Sequence, residues 1–238
     1  MPSASRIAHS GMPFANPMSE AAVNAAIAAL PLPSYPVVLD TGCGNGEILL
    51  RTLQAHAPAS GIGVDLDADA VAEANERAVG LPARFELRDA ATIDGWFDAA
   101  INVGASHAHG GFPAALKALK SLAPVAMYGE GFWQKPPSPE FLAALGGAAV
   151  DELSDLDGLR AEIRDAGFHI AHESLATEHD WACYEEALAA SAEDPRHTRH
   201  RRLRPPDSPP TRAAWRYRHP RLRALGSARL NRAGRRSV

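Results

Sequence analysis

The sequence predicts an α/β protein built on a doubly wound, mostly parallel sheet. Three observations carry that expectation. Strand-like and helix-like segments alternate through the first 194 residues. The β-branched run Val37–Leu39 passes directly into Asp40-Thr41-Gly42-Cys43-Gly44-Asn45-Gly46, an acid followed by glycine at every second position. Two later strand-like runs end at or just before acids, Asp65 and Asp89. Parallel strands need crossover helices, which cover both faces of the sheet and leave the strand ends open at one edge.

Taken in order, Ser19 is suited to cap a helix through Val23, Ile27 and Leu30 that Pro31 stops. Val37–Leu39 and the helix after Gly46 form the first βα unit. The second strand is 61–65, followed by an Ala-rich helix from about Asp67 to Gly80. A third strand, 83–87, runs into Asp89. The fourth, 97–103, breaks at Gly104, and a helix over 113–122 leads to the fifth, 125–128. Ser138-Pro139-Glu140 reads as cap, first-turn proline and acid of a helix ending at Gly146-Gly147. Asp155 caps another that carries Leu159 and Ile163 and closes at Gly167, and 169–175 is a sixth strand.

Composition bounds the rest. The 238 residues, 46% apolar and 22% charged, suit one sizeable globular core. Arg6 is followed by no apolar run, and the longest uncharged stretch, 21–39, holds Asn24 and three prolines, so neither an export signal nor a membrane span is expected. Cys43 and Cys183 make no disulfide framework, and reduced thiols in a cytoplasmic protein are expected. The net charge of −4 conceals two unlike regions: residues 195–238 hold fourteen arginines, no lysine and one acid, Asp207, whereas residues 1–194 hold ten basic and 27 acidic residues.

The glycines at 42, 44 and 46 allow a sharp turn and bare main chain against a ligand. A dinucleotide loop reads G-x-G-x-x-G and cradles a pyrophosphate. Here the third glycine comes one residue early and an acid precedes the first, which suits a ligand without phosphates. Asp65 lies at the end of the second strand, on the same edge, where a carboxylate accepts hydrogen bonds from ribose hydroxyls. Asp89, with the N–H of Ala90, matches an adenine edge, and Leu66 matches its face. Each acid alone would be read as a helix cap or turn former; together they form a set.

Residues 37–130 resemble the class I S-adenosylmethionine-dependent methyltransferases, through Asp40–Gly46, Val64-Asp65-Leu66-Asp67, Arg88-Asp89-Ala90 and Phe97–Ile101. The resemblance implies a Rossmann-like seven-stranded sheet with S-adenosyl-L-methionine as cofactor. It implies that Gly42, Gly44 and Gly46 meet the methionine part, Asp65 the ribose and Asp89 the adenine. Gly129-Glu130-Gly131-Phe132-Trp133 with 136–140, Ile7-Ala8-His9 with 16–20, and Asp180-Trp181 with Tyr184 are similar to a bacterial subgroup acting on small molecules.

Transfer of a sulfonium methyl is an in-line displacement, governed by orientation and charge placement. A general base for a hydroxyl or ammonium acceptor must lie past the fourth or fifth strand. His107, within Ser106-His107-Ala108-His109, is the first candidate and Glu130 the second. Phe132 and Trp133 are either an apolar wall or plain packing. Residues 1–35, with His9, Phe14 and Asn16, form either a helical lid over the cofactor or a structural helix. No metal site is expected, since His169 and His172 are three apart in a strand and face opposite sides. Ser106 beside His107 makes no triad, because adjacent residues rarely point at each other.

After Ala190 the periodicity fails. Residues 195–238 have the composition of a disordered basic tail, or of a GC-rich gene read out of frame from near 190–200. Nothing after Tyr184 suggests the further helix and antiparallel strand that the resemblance implies, and the out-of-frame reading would leave the C-terminal edge of the sheet incomplete. Interleaved with Trp215 and Tyr217, the arginines also suit a clamp on nucleic acid, a rival reading that the acidic body opposes. A third reading is an S-adenosylmethionine-binding protein without catalysis.

Overall fold

Five strands pair in parallel: β1 (Val37–Thr41), β2 (Ser60–Asp65), β3 (Ala83–Leu87), β4 (Ala99–Val103) and β5 (Val125–Gly129). In the computed structural model, which describes residues 6, 8, 9, 11–139, 153–193 and 225–230, they join β6 (Phe168–Ser174) and β7 (Leu225–Leu230) in one sheet of order β3-β2-β1-β4-β5-β7-β6. The helices are α1 (Glu20–Ala28), α2 (Glu47–Ala55), α3 (Ala68–Arg77), α4 (Phe112–Leu122), α5 (Leu156–Asp165) and α6 (Glu178–Glu193). The strand order reverses between β1 and β4, so a crevice opens at their carboxyl ends.

Local chemistry sets the helix starts where the sequence suggests them. Ser19 accepts from Ala22 N, Asp67 from Asp69 N and Ala70 N, and Asp155 from Gly158 N. Each cap satisfies N–H groups that have no partner inside the helix. The central strands β1, β4 and β5 bury both faces. Val38, Ile101 and Met127 pack with Val23, Ile27, Leu49, Leu53 and Trp181 on the side of α1, α2 and α6. Leu39, Ala100 and Tyr128 pack with Leu116, Leu119, Leu159 and Ile163 on the side of α4 and α5. Burying each Leu or Ile contributes about 1.5–3 kcal/mol. Asn75 fastens α3 to β3 by donating to Phe85 O (2.9 Å) and accepting from Phe85 N (3.1 Å).

Several expectations are corrected. β4 begins at Ala99, not Phe97, because Asp98 Oδ2 accepts from Val37 N (2.8 Å) and Phe97 N donates to Leu122 O (2.8 Å). α6 runs well past Tyr184, where the sequence offers no amphipathic stripe; its Ala-rich stretch is helical by propensity. Leu225–Leu230, inside the arginine-rich region, pairs antiparallel with both β5 and β6, so the expected gap at that edge is filled. Six residues in such a slot are ordered by ladders on both sides, which a single-sequence pattern does not show. Ala171 lies at a bulge in β6. His169 and His172 therefore pair with Arg229 and Ser227, two apart on β7, and share one face instead of opposing each other. The helix expected after Ser138 lies outside the described residues, apart from its start.

The N-terminal segment is strapped across the helices. Arg6 pairs with Glu73 of α3 (3.0 Å), Arg51 of α2 lies 5.1 Å over the Phe14 ring, and His9 Nε2 is 2.7 Å from Tyr184 Oη of α6. No helix among the described residues is long and apolar enough to cross a membrane.

Candidate functional site

The crevice is built from the turn that follows β1. Gly42, Gly44 and Gly46 all have positive φ (75°, 52° and 77°), but their surroundings differ. A Cβ on Gly42 would lie 2.3 Å from Ala105 Cβ, and one on Gly46 would lie 2.6 Å from the Phe85 ring. A Cβ on Gly44 would meet nothing within 4 Å. Gly42 and Gly46 thus serve close packing, while Gly44 presents bare main chain to open space.

The end of β2 grips this turn. Gly42 N and Cys43 N both donate to Val64 O (2.8 and 3.0 Å). Asp65 Oδ2 accepts from Gly44 N (2.8 Å), and Oδ1 accepts from Asp67 N (2.9 Å). Each carboxylate oxygen keeps a lone pair for a ligand hydroxyl. Arg88 N donates to Asp65 O (3.0 Å), which brings the end of β3 alongside. There Asp89 Oδ1 accepts from Ala91 N (2.9 Å) and caps the 3-10 turn Ala90–Thr92. Leu66, 69% exposed, stands on the rim beside Asp65, and Ala90 is buried. The two acids, the glycine turn, Leu66 and Ala90 thus share one edge of the sheet.

Asp40 is only 3% exposed. Burial, and secondarily the charge of Asp65, push its carboxyl up to about 8, with no hydrogen bond among the described residues to offset the effect. A buried carboxyl in that condition suits a cationic ligand. Cys43 is also buried. Burial and the two acids, Asp40 and Asp65, push its thiol far above the usual range.

Past β4, the 3-10 turn Ser106–His109 packs against α4 and against the 3-10 turn Ala90–Thr92 that follows β3. His107, the first candidate base, is exposed. Glu130, directly after β5, accepts from Gly131 N through Oε1 (3.0 Å), while its Oε2 is buried without a partner. Burial raises the Glu130 carboxyl, against the pull of Ser106, Gly131 and His107. The structure thus gathers Ser106, His107 and Glu130, and Glu130 has the more perturbed setting. Phe132 packs in the core on the α4 and α5 side, and Trp133 is buried, its backbone N–H donating to Ser154 O (2.9 Å).

Two residues escaped the sequence reading. His109 Nε2 is buried without a partner; burial lowers its pKa, with Asp89 opposing. Asn102, 2% exposed, donates through Nδ2 to Thr41 O and Thr41 Oγ1 (3.0 Å each) and to Ala105 O (3.2 Å). The Ser-His-Ala-His spacing signals His109, but nothing local distinguishes Asn102 from any other strand-end polar residue. Among the described residues no three His, Cys, Asp or Glu side chains gather as metal ligands.

Comparison with known proteins agrees with this geometry. Residues 38–126 match the family model of a methyltransferase domain. A methyltransferase from Thiobacillus denitrificans, solved with S-adenosyl-L-homocysteine, is 26% identical, with a TM-score of 0.75 over 96% of this chain and 97% of that one. YjhP from E. coli is also 26% identical, with a TM-score of 0.77 over 96% and 99%. A Geobacter sulfurreducens methyltransferase, at 24% identity and a TM-score of 0.75 over 94% and 95%, shares the fold. No protein of curated function matches the sequence. Residues 38–126 thus match a methyltransferase domain, and the fold is the one shared by S-adenosylmethionine-dependent methyltransferases.

Proposed function

We propose that this methyltransferase transfers the methyl group of S-adenosyl-L-methionine to a nucleophilic O, N or C atom of a small molecule, with the cofactor along the carboxyl ends of β1–β3 and the acceptor between Ser106–His109 and Glu130. The observation that carries the reading is the union of Asp65, through Gly44 N, with a glycine turn that is open at Gly44 alone. When bound, the cofactor supplies an electrophilic methyl on a sulfonium. Asp65 and Asp89 hold ribose and adenine, Leu66 and Ala90 flank the ring, and the turn from Gly42 to Gly46 lies along the methionine part. The cofactor's positive charge favours the ionised form of the buried Asp40, which then balances it.

On the acceptor side the chain contributes a proton site more than a nucleophile. Glu130 Oε2, held in a dry setting, takes the proton of an acceptor hydroxyl or ammonium, with His107 beside it as relay to solvent. The acidic excess of residues 1–194 opposes a polyanionic acceptor and supports a small molecule.

Calorimetry with S-adenosylmethionine and S-adenosylhomocysteine tests the cofactor half, and turnover on a metabolite panel tests the acceptor half. Asp65→Ala should weaken binding by about 10²-fold, the loss of one or two charge-assisted hydrogen bonds of about 1.5–3 kcal/mol. Absence of binding by the wild type would remove the reading.

A further inference from the structure

Thr41 and Asn102 lie one position beyond the paired residues Asp40 and Ile101 on β1 and β4. Thr41 is the last residue before the glycine turn, and Ala105 is the last before the turn Ser106–His109. The Asn102 amide spans the two. Thr41 O and Ala105 O can only accept, so the NH₂ end of Asn102 must face them, and its two hydrogens are shared among three acceptors. The Thr41 hydroxyl, accepting from Asn102, donates onward to Ile101 O (3.0 Å). The same two segments meet a second time, because Gly42 leaves no room for a side chain against Ala105.

We infer that Asn102 is a positioning residue that makes the cofactor turn and the acceptor-side turn move as one body, so that filling the first sets the second. The inference rests on the cofactor placement proposed above. Gly104, Gly110 and Gly111, at φ of 69°, 88° and 113°, flank the acceptor-side turn, and a Cβ on any of them would meet nothing within 4 Å. No close packing at these glycines restrains that turn. Gly104 N donates to Gly129 O (2.9 Å) and ties the turn's start to β5; the link through Asn102 and Ala105 is what ties it to β1 and the cofactor turn. His109 Nε2, within the turn, and Glu130 Oε2, directly after β5, are both buried without a partner among the described residues, so the turn's position decides what each of them meets.

The test uses S-adenosylhomocysteine as probe and follows amide hydrogen exchange at 42–46 and 106–111 in the full chain. In the wild type the probe should slow exchange in both segments. In Asn102→Ala it should still slow 42–46, while added protection at 106–111 falls by about tenfold or more. Ala105→Gly keeps the hydrogen bonds and removes the methyl facing Gly42. It should fold whatever Asn102→Ala does, and should lose part of the added protection at 106–111 only. Equal proportional loss in both segments means a merely structural role and overturns the inference, as does undiminished protection at 106–111 in either folded variant. If the wild type does not bind the probe, the proposed function fails first, and this inference with it.

Discussion

Along the β3-β2-β1 side of the sheet each strand reaches the next through one helix, and the contacts that shape the crevice are short in sequence; on the β5-β7-β6 side the sheet is closed by a strand that returns from more than fifty residues beyond β6. Gly44 N meets Asp65 from 21 residues away, and Asn75 meets Phe85 from ten. Leu225–Leu230 has no such neighbours along the chain, and its order comes from two ladders at once. Closing a long connection costs entropy that only the completed ladders offset. One side of the molecule is therefore specified locally and the other by assembly.

The largest effect should come from the assembled side. Deleting residues 195–238 leaves facing edges of β5 and β6 unpaired, and loss of soluble folded protein is expected on expression. A gentler version is Gly226→Pro, which takes an N–H from the second residue of β7 and should cost about 2–3 kcal/mol, lowering the melting temperature by roughly 4–12 °C. An unchanged melting temperature in both variants would mean that the far edge does not depend on β7.

On the locally specified side two glycines sharpen the contrast. Gly46→Ala meets both positive φ and the Phe85 ring, and should cost about 2–4 kcal/mol in denaturant unfolding. Gly44→Ala meets only the backbone penalty, about 1–2 kcal/mol, yet should reduce S-adenosylhomocysteine affinity by about tenfold or more, because its methyl enters the space left for ligand. If the two variants lose stability and affinity in the same ratio, the division between packing and ligand glycines is wrong.

The remaining test is a pH dependence. Asp40 ionises near 4 in an unfolded chain and at about 8 in the fold. Below pH 4 both states hold the proton. As pH rises from 4 to 8 the unfolded chain releases it while the folded chain keeps it, so this group makes stability fall across that window. Asp40→Asn should therefore melt higher than wild type at pH 8 and about equally at pH 4. The opposite ordering would place a stabilising partner on Asp40.

The same contrast governs what the sequence revealed. Glycine spacing, strand-end acids and the caps Ser19, Asp67 and Asp155 act over a few residues, so the five parallel strands and the Asp40, Asp65 and Asp89 edge were legible before any coordinates. Three features were not. β7 has no sustained period of its own, the bulge at Ala171 reverses which histidines share a face, and Asn102 becomes important only because Thr41 and Ala105 converge on it across the sheet. His107 and His109 differ in burial, although they stand only two residues apart, because the turn lays one outward and the other toward Asp89.

The buried Cys43 has a consequence for an enzyme of this chemistry. A sulfonium methyl donor is an alkylating reagent, and thiolate is the side-chain form that such reagents modify first. Cys43 sits within the turn that would lie along that donor, yet burial and two neighbouring acids keep it in the un-ionised thiol form. Burial first, and the two acids second, thus oppose the thiolate form through which such a donor would alkylate it.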